Sequence, residues 1–87
     1  MRGVIGYLVY DTEESILLAH QGRWEITRFR DYLYRTKNGR FFVHKTAPWH
    51  REILTNLDVS DAVALYHVCS PAIPFEEAFP NVATTPA

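Results

Sequence analysis

The Asn38-Gly39 pair, set between Tyr32–Thr36 and Arg40–Thr46, is the feature that most restricts the folds open to this chain. Two runs rich in β-formers flank a dipeptide that tolerates positive φ, so the segment predicts a tight antiparallel hairpin. A two-residue type I′ loop would pair Lys37 with Arg40, Thr36 with Phe41, Arg35 with Phe42, Tyr34 with Val43 and Leu33 with His44. Opposed residues share a face and successive residues alternate. One face then carries Tyr32, Tyr34, Thr36, Phe41 and Val43 and is expected to be core. The other carries Leu33, Arg35, Lys37, Arg40, Phe42 and His44, a cationic and aromatic surface.

The rest of the chain is read around that hairpin. Val4 to Tyr10 predicts a first strand, Asp11 to Glu14 a polar turn, and Ile16 to His20 a second strand paired with the first. Asp11 followed by Glu14 also imitates a helix capping box, the alternative to that turn. Gln21-Gly22 marks a break, and Trp24 to Phe29 suits a loop or a lead-in to the third strand. Tyr32–Thr36 and Arg40–Thr46 are strands three and four, ended by Ala47-Pro48. Trp49 to Leu57 satisfies both helical spacing and alternation, so periodicity leaves its type open.

Asp58 is a suitable N-cap, with Asp61 in the first turn where acids are favoured. Val59, Ala62, Val63, Tyr66 and Val68 then mark an apolar stripe, which predicts a helix from Val59 to Cys69 closed by Ser70-Pro71. Pro71, Pro74, Pro80 and Pro86 preclude long regular structure, yet Ile73, Phe75 and Phe79 are too apolar for an idle linker. Residues 1–70 are therefore expected to form a single α+β domain, and residues 71–87 a Pro-rich tail, partly docked and frayed from Asn81 to Ala87. The expected architecture is a four- or five-stranded antiparallel sheet with one C-terminal helix packed on the face of Tyr32, Tyr34, Phe41 and Val43.

At 87 residues, 47% of them hydrophobic, the chain can bury one modest core but not a roomy enzyme cleft. Its net charge of −1 hides an uneven distribution. Arg23 to Lys45 holds seven Lys/Arg against Glu25 and Asp31, a local excess of positive charge that can steer partners. Cys69 is the sole cysteine, which rules out an internal disulfide and a multi-cysteine zinc cluster. The apolar run to Tyr10 is too short to span a membrane and lacks a cleavage site after it, so a cytoplasmic protein is expected.

The titratable residues give little support to catalytic chemistry. His44 and His50 lack a partner ligand at a recognised interval, and His67 and Cys69, two apart on a helix, cannot chelate one ion. Cys69 lies at a helix C-terminus, whose negative end raises a thiol pKa, and reads as a small buried hydrophobe. Glu13-Glu14 and Glu76-Glu77 are adjacent and solvated, and the isolated glycines form no phosphate cradle. Neither enzyme activity, a metal nor a cofactor is expected.

The basic and aromatic hairpin face is the candidate site, comprising Arg35, Lys37, Arg40, Phe42 and His44 with Trp49 and Arg23 at its rim. It fits a protein interface, where Arg and aromatic residues serve as anchors. It also fits a single-stranded nucleic-acid surface, with cations on phosphates and a ring stacked on a base. A third reading is that the charges merely guard a hairpin against aggregation.

Leu33-Tyr-Arg-Thr-Lys-Asn-Gly-Arg-Phe-Phe42 resembles a hairpin motif, L-Y-R-T-K-x-G-R-aromatic-F, of small bacterial and phage or mobile-element proteins. Tyr10 to Ala19 is similar to a D-T-E-T-A stretch of that group, and Ile53 to Leu65 to its I-I-P-L-S-x-E-E-A helix entry. After His44 the chain departs from the group, carrying Lys45-Thr-Ala-Pro-Trp-His50 in place of a glycine-rich insertion. The resemblance implies a stoichiometric accessory protein of the bacterial cytoplasm. An anti-CRISPR inhibitor that binds a Cas effector subunit is the expectation it carries, with a nucleic-acid-binding module as the alternative.

Overall fold

The computed structural model describes residues 1–22, 30–47 and 50–82. The chain is an α+β protein with a five-stranded antiparallel sheet, a separate two-stranded ribbon and a helix near its C-terminus. Strands β1 (Arg2–Ile5) and β2 (Leu8–Asp11) form the ribbon. The sheet contains β3 (Ile16–Gly22), β4 (Arg30–Arg35), β5 (Phe41–Ala47), β6 (His50–Leu57) and the short β7 (Ser70–Pro71), in the order β6-β5-β4-β3-β7. Helix α1 (Val59–Val68) and the single turn α2 (Phe75–Ala78) complete the fold. The segment Trp24 to Phe29 lies outside the described residues.

The predicted first strand is in fact two. Ile5 pairs with Leu8 across Gly6-Tyr7, and Gly6 has φ 62°, a left-handed conformation that glycine adopts without steric cost. The chain then leaves the ribbon through a short 3₁₀ turn, Thr12–Glu14, capped by Asp11, whose carboxylate accepts from the Glu13 N–H at 3.0 Å. This turn is why the expected pairing of the segments flanking Asp11–Glu14 does not form. It sends β2 and β3 into different sheets.

The Asn38-Gly39 hairpin exists, but its register differs by one residue from that of a two-residue loop. Tyr34 faces Phe42, Leu33 faces Val43 and Tyr32 faces His44. The loop contains Lys37, Asn38 and Gly39. Gly39 N–H donates to the Thr36 carbonyl at 3.0 Å, Gly39 has φ 81°, and Thr36 N–H donates to the Arg40 carbonyl at 2.8 Å. This is the three-residue hairpin in which a turn is followed by a left-handed glycine. The Thr36 hydroxyl accepts from the Arg40 N–H at 3.1 Å and helps to close it.

A slip of one residue exchanges the partners of every side chain across the pair. Leu33, Phe41 and Val43 share the face beneath α1, whereas Tyr32, Tyr34, Phe42 and His44 share the opposite face. The helix therefore does not pack on a face bearing Tyr32 and Tyr34. Beneath α1 lies the main core, Leu18, Ala19, Leu33, Phe41, Ala62 and Tyr66, closed by Ala78 and Phe79 from the tail. A bulge between Leu17 and Ala19 allows the consecutive Leu18 and Ala19 both to be buried.

On the other face the ribbon covers the sheet. The Tyr10 ring meets Phe42 edge-on at 5.2 Å, Phe42 stacks on Tyr34 at 5.2 Å, and a methyl at Gly3 would lie 2.7 Å from Leu54 Cδ1. β5 is consequently buried on both faces from Phe41 to His44.

Helix α1 begins where the sequence places it, with Asp58 accepting from the Asp61 N–H at 2.8 Å. Its buried stripe runs through Ala62 and Tyr66, with Val63, Leu65 and Cys69 alongside, while Val59 and Val68 are exposed. Trp49–Leu57, left open by periodicity, is a strand from His50 onward. In the tail Phe79 is buried against Phe41 and Tyr66, and the Tyr66 hydroxyl donates to the Ile73 carbonyl at 2.7 Å.

Candidate functional site

The hairpin residues singled out in the sequence do not form one surface. Arg35 lies on the helix side, where its guanidinium donates to the Glu77 carbonyl at 3.0 Å and ties α2 to the sheet. A cation is favoured at that helix end. Phe42 is 0% exposed, so its ring can neither anchor a partner nor stack on a base. His44 is buried beside it in a cross-strand row with Tyr32, ring centroids 6.1 Å apart. Its Nε2 stands 3.6 Å from a Glu52 carboxylate oxygen, an ion pair when the imidazole is protonated.

Lys37 and Arg40 alone of the described candidates are exposed. Lys37 stands 3.9 Å from the Glu14 carboxylate, a solvated contact. Arg23 and Trp49 lie outside the described residues.

An exposed surface of another composition is built on the ribbon. Gly3 and Tyr10 point inward, so the next pair toward the tip, Val4 opposite Val9, points outward. Val4 is 69% and Val9 50% exposed, and Tyr7 at the tip is fully exposed. The tip projects, since a Cβ at Gly6 would meet no atom within 4 Å. Beside the base of the ribbon, an open polar cleft of about 290 Å³ is lined by Arg2, Val9, Asp11, Glu14, Thr36 and Lys37. The exposed valine thus adjoins the hairpin loop and its cation.

A single strand over Val4 to Tyr10, as the apolar run suggests, hides Val4, Tyr7 and Val9 because it runs straight through Gly6. Glycine within an apolar run is a turn signal, and Ile5-Gly-Tyr-Leu8 contains it. The run Phe41-Phe42-Val43 likewise signals a strand buried on both faces.

Among the described residues two groups have shifted acidity. Burial, and then the Asp31 carboxylate, raise the Cys69 thiol, whose Sγ lies 3.9 Å from Gln21 Oε1. Burial, and then Tyr32, raise the Tyr34 phenol. Among the described residues no three His, Cys, Asp or Glu side chains converge as metal ligands. Nor is any helix there long and apolar enough to cross a membrane.

The fold and surface define an antiparallel α+β domain that carries a projecting β-ribbon with an apolar outer face. Comparison with protein-family models, with curated proteins and with solved structures finds no match to the chain.

Proposed function

We propose that the chain is a non-enzymatic protein-binding inhibitor that docks through the outer face of its ribbon. The observation carrying this reading is the Val4–Val9 pair, two apolar side chains directly opposed and left largely in water. Singly exposed apolar residues are ordinary, but an opposed pair with an aromatic tip at Tyr7 is a contiguous patch. Arg2 and Lys37 border it, giving an apolar centre with a charged rim, the make-up of a protein interface. Arg40, exposed on the same hairpin, extends the rim toward acidic groups of a partner.

The resemblance of the Leu33–Phe42 motif to mobile-element proteins supplies the class of target, a CRISPR effector complex in the bacterial cytoplasm. Binding would block DNA recognition or nuclease recruitment stoichiometrically.

The test is an interference assay in bacteria with an active CRISPR–Cas system challenged by a targeted plasmid. Expression of the wild-type chain should restore transformation, and the Val4→Asp, Val9→Asp double variant should not. Unchanged interference with the wild-type chain overturns the target. Full inhibition by the double variant overturns the surface. Salt-sensitive oligonucleotide binding in its place would favour a nucleic-acid module.

A further inference from the structure

On the helix side of the sheet, the register sets Lys45 opposite Asp31 and Val43 opposite Leu33, and carries the same face on to Leu57 of β6. Ala62 and Tyr66 of α1 close the core over Leu33 and Phe41. Beside them, between α1 and the sheet, an open cleft of about 250 Å³ remains. Val43, Leu57 and Leu65 give it apolar walls, while Asp31 and Lys45 enter from the sheet and Asp61 from the first turn of α1. Among the described residues the ion pairs are Lys37–Glu14 and His44–Glu52, so Asp31, Asp61 and Lys45 have no salt-bridge partner there. Asp31 is half-buried, and its carboxylate lies close enough to the C-terminal end of α1 to raise the Cys69 thiol. Lys45, directly across the ladder, is exposed and does not pair with it.

We infer that this cleft binds a small organic monocation, a primary amine on an apolar body, with its ammonium toward Asp31 and Asp61 and its body against Val43, Leu57 and Leu65. Charge selects the sign of the ligand. Two carboxylates against one ammonium leave one negative charge over, which a single amine neutralises. A carboxylate drawn from water beside apolar side chains is stabilised by a nearby cation. The apolar walls favour an organic cation over a metal ion such as magnesium, which keeps its waters and takes oxygen ligands. At about 250 Å³ the space falls below the usual range for a drug-sized molecule, so the body is one ring or a short chain. The ribbon covers the other face of the sheet, so the cleft is separate from the surface proposed for inhibition.

Heteronuclear NMR titration of the wild-type chain with phenethylamine at neutral pH should give saturable shifts at Asp31, Lys45, Asp61 and Leu65. Hydrocinnamate, a similar body with the opposite charge, should give none. Methylammonium, a cation without the body, should bind about tenfold more weakly or worse. Asp31→Asn should weaken phenethylamine binding about tenfold. Lys45→Gln removes a competing cation and should strengthen it about twofold. Amide shifts away from the cleft confirm that each variant folds. The inference is overturned by the absence of saturable shifts in the cleft up to about 10 mM amine, by equal binding of hydrocinnamate, or by an affinity unchanged in Asp31→Asn. Tighter binding of Nα-acetyl-lysine amide than of phenethylamine would assign the cleft to a lysine of a protein partner and overturn the small amine.

Discussion

Replacing Phe42 by alanine tests whether the ribbon buries the second face of β5. Were that face the exposed surface expected from the sequence, the truncation would cost almost nothing. In the structure it is wholly buried, stacked on Tyr34 and met edge-on by Tyr10, both at 5.2 Å. Truncation removes the transfer free energy of a full ring, leaves a cavity between ribbon and sheet, and deletes two aromatic contacts. Buried Phe→Ala changes cost about 3–5 kcal/mol. Each aromatic pair contributes about 0.5–1.5 kcal/mol beyond its area, and part of that is already within the range.

A domain of this size has roughly 5–10 kcal/mol of stability in all, so Phe42→Ala should lose a third or more of it. With a urea m value of about 1–1.5 kcal/mol/M, the midpoint should fall by about 2–5 M. Leu33→Ala is the companion, since Leu33 shares the expected exposed face with Phe42 but is buried beneath α1 in the structure. It should cost about 2–5 kcal/mol. Urea unfolding followed by circular dichroism at 222 nm reads both. A loss below about 1 kcal/mol in both variants, with native spectra, would refute the two-sided burial of β5 and the placing of Leu33 beneath α1.

Three further outcomes are expected. Gly39→Ala forces a side chain into φ 81° and should cost about 1–2 kcal/mol in the same denaturation assay; no loss would mean the loop has relaxed to another turn. Arg35→Ala should destabilise by about 1 kcal/mol through the lost hydrogen bond to the Glu77 carbonyl and raise hydrogen exchange around Phe75–Phe79, yet leave the proposed inhibition intact. Cys69, with its pKa raised by burial and Asp31, should react with iodoacetamide more slowly than the unfolded chain at pH 8. The sign for stability follows from the folded state holding that proton more tightly. The thiol's contribution is full below its unfolded pKa and is lost as pH rises through the folded one, so alkaline destabilisation should be smaller in Cys69→Ala.

Local chemistry determined a good deal of this protein by itself. Asp58 set the start of α1, Asn38-Gly39 required a hairpin, and Ile73, Phe75 and Phe79 announced a tail with apolar work to do. Each depends on interactions within a few residues, through a cap, a turn or the cost of leaving a ring in water. What tertiary structure decided was pairing over distance. One extra residue in the Lys37–Gly39 loop changed which side chains face which, placing Leu33 beneath α1 with Phe41 and Val43 and setting Tyr32 and Tyr34 beside Phe42 and His44, and the ribbon laid over that second face turned Phe42 and His44 from an expected contact surface into core. The ribbon over Phe42 could be recognised as a cover only once its position was known, because Val4 to Tyr10 is apolar whether straight or folded at Gly6. The candidate surface moved with it, from the hairpin face to Val4, Tyr7 and Val9. Alternation fixes that successive residues point to opposite sides, whereas the burial of each side depends on what the rest of the chain lays against it.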